Sequence, residues 1–166
     1  DKVMVVNSFS KTFAMTGWRI GYIISTNLEA MKQVVKIQYY ISACSNDAMQ
    51  YAVLEAMEQA NDYPSVMAAE FQQRCNLIVD RLNAMPGVQC HRPKGAIYVF
   101  PKVDVPGMNS EDIAMELLRD GVLCSPGSAF GPSGEGHLRF AYTISQADIA
   151  RGMDKVEATL KRLQQA

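Results

Sequence analysis

Histidine and cysteine are scarce in this sequence, and the few that occur lie far apart. There are two histidines, His91 and His137, and four cysteines, at positions 44, 75, 90 and 124, with no Cys-x-x-Cys pair. Metal sites in proteins need such ligands in clusters, and a disulfide framework needs a short, cysteine-dense chain. We therefore expect no metal site, and the scattered thiols favour a reducing, cytoplasmic compartment.

Strong charge of one sign and long apolar runs are also absent. The 16 basic and 17 acidic residues give a formal net charge of −1, so no global field attracts nucleic acid or a membrane surface. No apolar run approaches the roughly 20 residues that a membrane-spanning helix needs. We expect neither a nucleic acid nor a membrane as partner. The 48% hydrophobic and 20% charged residues are typical of an ordinary globular protein.

The first half of the chain predicts two strands followed by three helices. β-Branched and aromatic residues in "VMVV" (3–6) and "IGYIIS" (20–25) predict strands. Apolar residues at helical spacing predict helices from Asn27, over 46–60, and from Asp62 to Met85. Pro86-Gly87 is a typical helix stop.

The second half changes to short β runs alternating with helices. "VQCHRP" and "AIYVFP", joined through Lys94-Gly95, predict a hairpin-like pair. Ser110 is expected to cap a helix that ends near Asp120, and a capping box at Ser145 begins the last helix. "VLCSP" and "HLRFAY" predict two more strands. The glycines of "FGPSGEG" predict a flexible surface loop.

This order of elements predicts an α/β protein whose second part is α+β. Residues 86–166 form a small β-β-α-β-β-α domain with an antiparallel sheet covered by helices, and residues 46–85 form linking helices. The strand pair within 1–45 cannot be stable alone. We therefore expect residues 1–45 to be the remnant of a larger sheet domain, and the sequence to be part of a longer protein.

The turn between the first two strands carries an unusual set of polar residues. Lys11 follows the hydroxyl residues Ser8 and Ser10, and Arg19 follows eight positions later. An arginine fork and hydroxyl donors suit a phosphate group. A lysine beside a phosphate site can form a Schiff base with an aldehyde cofactor.

The stretch "SFSKTFAMTGWRIGY" resembles the pyridoxal-phosphate lysine motif of fold-type I aminotransferases of classes I and II. That motif reads Ser-x-Ser-Lys, then about seven residues, then Arg-x-Gly, and Ser8, Ser10, Lys11, Arg19 and Gly21 are all in register. Three later segments resemble the same family in its own order: "SNDAMQYAVLEAM", "PKGAIYVFP" and "SPGSAFGPSGEGHLRFAY". The resemblance covers essentially the whole chain and lacks only the family's amino-terminal half.

The resemblance implies a role for each matching residue. Lys11 would bind pyridoxal 5'-phosphate covalently and then act as the base for the substrate α proton, while Ser8, Ser10 and Arg19 would hold the cofactor phosphate. Arg139 would bind the substrate α-carboxylate. The implied reaction moves an amino group between an amino acid and a 2-oxo acid, in a homodimer of the full-length protein. The present chain alone is expected to be inactive, since the family's ring-stacking aromatic, aspartate and asparagine lie in the other half.

Other functions on the same scaffold stay open. A carbon–sulfur lyase or a cyclopropane-carboxylate synthase would share Lys11 and Arg19, and the sensor domain of a transcription regulator would bind the cofactor without turnover. The run Met15–Trp18 favours an enzyme over the sensor. Ile41 stands near the place of an arginine that reads a distal carboxylate in one aspartate-specific subgroup, so that form of dicarboxylate selection is not supported.

Overall fold

The computed structural model describes residues 2–60 and 62–165. These residues fall into two compact units, divided between Met67 and Ala68. The expectation of a mixed α/β chain with small antiparallel sheets is confirmed. None of the helices in the described ranges is long and apolar enough to cross a membrane.

The first unit is built on a two-stranded antiparallel ribbon. Its register runs from Met4 opposite Ser25 to Ser8 opposite Gly21. Both predicted strands are confirmed, although the first extends to Ser8. The elements are β1 (Met4–Ser8), α1 (Phe9–Thr12), a 3₁₀ turn (Thr16–Trp18), β2 (Gly21–Ser25), α2 (Leu28–Ser42) and α3 (Asp47–Gln59).

Asparagine side chains fix where the two longer helices of this unit begin. Asn27 accepts a hydrogen bond from the backbone N–H of Ala30, and Asn46 accepts one from Met49. Each cap satisfies an amide that has no partner within its helix. Two of the three helices predicted in the first half are therefore present with defined starts.

A small apolar cluster lies beneath the turn that joins β1 to β2. Met15, Ile20 and Val53 are its buried members, and they come from the turn and from α3. The ribbon itself stays open, because every residue of β1 is exposed and β2 is exposed up to Ser25. Val5 is 49% and Ile24 60% exposed, so little apolar area of this ribbon is buried.

The second unit combines three long helices with two small antiparallel sheets. One sheet pairs two strands in the order β3-β5, and the other has the order β4-β7-β6. The elements are α4 (Tyr63–Asn83, which contains the division point), β3 (Val88–Gln89), β4 (Tyr98–Val99), β5 (Lys102–Val103), α5 (Ser110–Arg119), β6 (Ser125–Pro126), β7 (Leu138–Ala141) and α6 (Gln146–Gln164).

The core of this unit lies along the predicted helical stripes. Cys75, Ile78 and Leu82 of α4 are buried, as are Ile149, Met153, Val156 and Leu160 of α6. Each stripe presents one side of its helix to the core, and burial of such side chains contributes about 1.5–3 kcal/mol apiece. In α5, Leu117 is fully buried, whereas Leu118 beside it is 46% exposed.

Two local predictions in the second unit are wrong. The runs 88–93 and 96–101 do not pair, because Val88 lies opposite Val103 and Tyr98 lies opposite Ala141. The cap of α5 is Asn109 rather than Ser110, since the Asn109 side chain accepts from the backbone N–H of Asp112.

The "FGPSGEG" segment, residues 130–136, lies largely at the surface, as the predicted surface loop requires, and it contains a defined 3₁₀ turn. One 3₁₀ turn, Gly127–Phe130, leads into the segment, and a second, Pro132–Gly134, lies within it. Gly134 is buried, and the backbone N–H of Gly127 donates to the carbonyl of His137 at 2.8 Å. A side chain on Gly127 would have no room, since its Cβ would lie 1.9 Å from the Gly134 carbonyl oxygen.

Gly127→Ala is therefore expected to lower the free energy of unfolding by about 3 kcal/mol, because the crowding atoms belong to the backbone and cannot rotate away. Urea unfolding of the protein measures this. The matched control is Gly152→Ala in α6, where nothing lies within 4 Å of the added methyl and a gain of about 0.5–1 kcal/mol is expected. Equal stability of the two variants would contradict the close approach.

Candidate functional site

Lys11 lies on the one-turn helix α1, directly after the end of β1. The backbone N–H of Phe13 donates to the carbonyl of Phe9 at 3.1 Å and closes this turn. Phe9 and Phe13 pack against the small apolar cluster, whereas Lys11 between them is exposed. The aromatic neighbours therefore anchor the turn and leave the lysine free to reach outward.

Gly21 allows the two strands to meet closely at this turn. It lies directly opposite Ser8 in the ribbon. A Cβ at Gly21 would lie 2.5 Å from the Asn7 carbonyl oxygen and 3.2 Å from the Ser8 Cβ. The sequence motif contains this glycine, but only the cross-strand contact shows what it does: it lets the Ser8 end of β1 approach the end of the turn.

Arg19 lies at that end of the turn in a conformation rare for arginine. Its φ is 53°, in the left-handed region, and its Nη1 donates to the Thr16 carbonyl at 2.8 Å. The adjacent Ile20 carbonyl accepts from the Phe9 N–H at 3.3 Å, which joins the Arg19 end of the turn to the end that carries the serines. Left-handed non-glycine residues cost about 1–3 kcal/mol and cluster at functional sites.

Three of the polar side chains predicted to bind a cofactor, those of Ser8, Ser10 and Lys11, have no competing partner in the described residues. Ser8 makes no side-chain capping bond to α1, and neither Ser10 nor Lys11 forms an ion pair or side-chain hydrogen bond within 2–60 and 62–165. An open cleft of about 590 Å³ adjoins the turn, with Ser8, Phe9 and Tyr22 on its wall. Four of the five predicted site residues are thus brought together on one 12-residue turn.

Arg139, the fifth predicted residue, lies in the second unit. It is half-buried on β7 opposite Ser125, and its Nη2 donates to the Ser125 Oγ at 3.3 Å. Its guanidinium carbon lies 4.6 Å from the ring centroid of Tyr98 and 4.6 Å from that of Phe130. Sequence reasoning did not assign a role to either ring.

Arg19 and Arg139 differ from the other arginines of the chain in their ion pairing. Of eight arginines, six form ion pairs with carboxylates: Arg74, Arg81, Arg92, Arg119, Arg151 and Arg162. Arg19 and Arg139 have no carboxylate partner among the residues that the structure describes. An arginine held in place without an acidic partner is available to an external anion.

The side chains of metal-binding type, and two of the four cysteine thiols, are characterised by their placement and burial. Across residues 2–60 and 62–165, no group of three His, Cys, Asp or Glu side chains is placed to hold a metal ion. Burial raises the pKa of the Cys90 and Cys124 thiols to about 11, so both stay protonated near neutral pH. A reactive cysteine needs the opposite shift.

Solved structures identify the fold as that of pyridoxal-phosphate aminotransferases. The aromatic aminotransferase from Pyrococcus horikoshii OT3 superimposes with a TM-score of 0.89 at 36% identity, over 96% of this chain and 43% of that one. The aspartate aminotransferase from Rhizobium meliloti superimposes with a TM-score of 0.89 at 32% identity, over 98% of this chain and 43% of that one.

The sequence model of the family "Aminotransferase class I and II" matches residues 1–156, and the chain belongs to this family. It is similar to the aspartate aminotransferase of Pyrococcus horikoshii, with 37% identity over 97% of this chain and 42% of that protein. It is also similar to aromatic-amino-acid aminotransferase 2 of Thermococcus litoralis, with 35% identity over 97% of this chain and 42% of that protein. The chain thus spans about 42% of the length of these curated relatives.

Pyridoxal 5'-phosphate is the cofactor of this family, and the chemistry of the turn fits it. The cofactor carries an aldehyde, which an amine can bind, and a phosphate, which a guanidinium and hydroxyls can bind. The turn offers Lys11 for the first, and Arg19 with Ser8 and Ser10 for the second. The side chains present are therefore compatible with the group.

Proposed function

We propose that this chain is the carboxy-terminal portion of a pyridoxal-phosphate-dependent aminotransferase, which moves an amino group between an amino acid and a 2-oxo acid. The observation that carries the proposal is that Arg19 and Arg139 have no carboxylate partner within residues 2–60 and 62–165. One lies on the same turn as Lys11 and the other lies against two aromatic rings. An aminotransferase needs two such anion sites, one for the cofactor phosphate and one for the substrate carboxylate.

Lys11 carries the covalent chemistry in this proposal. Bound pyridoxal phosphate supplies an electron sink for the substrate α carbon. In the complete protein the Lys11 amine would bind the aldehyde of this group, and, when displaced by an amino acid, would serve as the base that takes up and returns the substrate α proton. Lys11 is exposed and has no acidic partner in the part of the chain that the structure describes, so it is available for both tasks.

Arg19, Ser8 and Ser10 hold the cofactor phosphate. The guanidinium supplies charge and a planar fork, and the two hydroxyls supply further donors. The hydrogen bond from Arg19 to the Thr16 carbonyl uses one of its five N–H groups. The remaining donors can therefore bind phosphate without breaking the contact that fixes the turn.

Arg139 binds the α-carboxylate of the substrate. A bidentate pair fixes both the position and the rotation of the amino acid, and so decides which bond at the α carbon is aligned with the cofactor. One donor of Arg139 is already directed to Ser125. The proposed substrates are amino acids and 2-oxo acids.

The proposal also assigns each part of the chain to a domain of the complete protein. Residues 1–45 belong to the large cofactor-binding domain, 46–85 link the domains, and 86–166 form the small domain. The exposed apolar faces of β1 and β2 support this assignment, because a ribbon of this kind is stable only when further elements cover it. Activity accordingly needs the complete protein, which we propose to be a cytoplasmic homodimer.

Arg19→Gln in the complete protein is expected to weaken pyridoxal-phosphate binding about 30-fold, since a charge-assisted contact to phosphate is replaced by a neutral amide. Fluorescence titration of the cofactor-free protein measures the dissociation constant. Arg119→Gln is the matched control, because the exposed Arg119 side chain already forms an ion pair with Glu116 and affinity should not change. Equal affinity for the cofactor in the two variants would contradict the assignment of Arg19 to the phosphate site.

A single-turnover assay tests the reaction itself. The complete holoprotein, given each of the 20 amino acids without an acceptor, should release one equivalent of 2-oxo acid per site from its substrates, with no free ammonia. Addition of a 2-oxo acid should then return the protein to its starting spectrum. Release of a thiol or of a cyclopropane product would support a lyase or synthase, and absence of any product would support a sensor.

A further inference from the structure

The rings around Arg139 limit how a carboxylate can reach it. Tyr98 comes from β4 and Phe130 from the 3₁₀ turn before β7, and each ring centroid lies 4.6 Å from the guanidinium carbon. Contacts of this length are cation–π contacts, in which the positive charge lies over the ring. The two rings hold the Arg139 guanidinium without using its N–H donors, so these donors stay available for a bidentate pair with a carboxylate.

Phe130 is held in place by fewer backbone contacts than Tyr98. Tyr98 is fixed on a strand that pairs with β7, whereas Phe130 ends a short turn and is 52% exposed. Its ring packs edge-on against Phe100, with centroids 5.9 Å apart. Its place over Arg139 therefore depends on what holds the turn.

A buried serine and a carboxylate hold that turn from both sides. The Glu135 carboxylate accepts from the backbone N–H of Ser110 at 2.7 Å and from the Ser110 hydroxyl at 3.0 Å. It also accepts from the N–H of Gly136 at 2.9 Å. These amides hold the pKa of the Glu135 carboxyl below its ordinary value. The Ser110 hydroxyl also accepts from the N–H of Ser128 at 3.3 Å, on the other side of Phe130.

We propose that Tyr98 and Phe130 are positioning residues that orient Arg139 for the substrate carboxylate, and that Glu135 acts through Ser110 to hold Phe130 in place. This inference rests on the proposed function, in which Arg139 binds that carboxylate. Neither ring touches the reacting atoms. Their effect is on affinity for a carboxylate and not on the rate once the substrate is bound.

The test compares an acid with its amide in the complete holoenzyme. The probes are the amino acid that reacts fastest in the single-turnover screen and its α-amide. Phe130→Leu and Tyr98→Leu should each raise the half-saturating concentration of the acid about tenfold. The limiting rate should change less than about twofold, and the half-saturating concentration of the amide should not change. Glu135→Gln should raise the half-saturating concentration of the acid about threefold, since the neutral glutamine side chain is a weaker hydrogen-bond acceptor than the carboxylate.

Two further variants make the test specific. Phe71→Leu is the matched control, because Phe71 lies 5.2 Å from the guanidinium carbon of Arg74, which already pairs with Glu70. It should leave the acid and amide values unchanged. Phe130→Tyr restores a ring and should recover most of the affinity lost in Phe130→Leu.

The outcomes separate this inference from the proposed function. If Arg139→Gln leaves the affinity for the acid unchanged, the carboxylate assignment itself fails. If Arg139→Gln weakens binding but the ring variants do not, Arg139 keeps its role and the positioning inference is overturned. Should circular dichroism show that Phe130→Leu does not fold, Glu135→Gln decides: a raised half-saturating concentration supports the inference, and an unchanged one overturns it.

Discussion

Replacement of Lys11 by alanine in the complete protein is expected to abolish the visible absorbance of the lysine-bound cofactor and to slow amino-acid turnover at least about 10⁴-fold. The size follows from the loss of the covalent attachment together with the proton-transferring amine. No other lysine lies within the turn of residues 8–19, so no neighbour can replace it. Absorbance spectroscopy and a coupled assay for the 2-oxo acid measure the two effects.

Lys36→Ala provides the control for this experiment. Lys36 lies on α2 and is exposed, so its removal tests the loss of one surface charge and nothing more. The absorbance and the rate should both match the parent protein. A visible band that survives in Lys11→Ala would show that another amine binds the cofactor, and the assignment of the turn would be wrong.

Arg139→Gln is expected to raise the KM for the amino-acid substrate about 100-fold. A bidentate, charge-assisted pair becomes a single neutral hydrogen bond, and each such charged contact contributes about 1.5–3 kcal/mol. The visible absorbance of the bound cofactor should stay, because Arg139 has no part in holding it. Steady-state kinetics and the absorbance spectrum of the same sample separate the two effects.

The matched control for Arg139 is Arg92→Gln. Arg92 forms an ion pair with Asp80 on the surface of the same unit, with both side chains exposed, and exposed pairs of this kind contribute little. Its KM should equal that of the parent protein. A similar rise in both variants would indicate a general effect of lost charge and would contradict a specific carboxylate site.

Much of the Lys11 turn could be predicted from sequence because its determinants are local. The strands on either side follow from runs of β-branched residues, and the motif residues all lie within one short connection. Gly21 is the exception within this stretch. Its importance depends on the Asn7 carbonyl across the ribbon, which is a contact between residues 14 positions apart.

The surroundings of Arg139 could not be predicted because they are assembled from distant segments. Tyr98 and Phe130 lie 41 and 9 positions before Arg139 in the chain, and strand pairing brings β4 beside β7. The expected hairpin placed β4 beside the preceding run instead. Strands of two residues carry too little pattern to select a partner, so tertiary packing decides the pairing.

The start of α5 shows how a local rule can fail by one residue. Asn109 and Ser110 are both good capping residues, and sequence alone does not rank them. In the structure Asn109 caps the helix, while Ser110 is buried with its amide bound to Glu135, 25 residues later. The long-range contact settles the choice, and the same contact holds the turn that carries Phe130.

The measurement that tests the central claim most directly is the chemical location of the cofactor. The complete protein would be loaded with pyridoxal phosphate, reduced with borohydride to make the linkage permanent, and digested for peptide mass spectrometry. We predict that the pyridoxyl label lies on Lys11, within "SFSKTFAMTGWR", at one label per chain. Loading that leaves Lys11 unmodified, or places the label on a different lysine, would contradict the account.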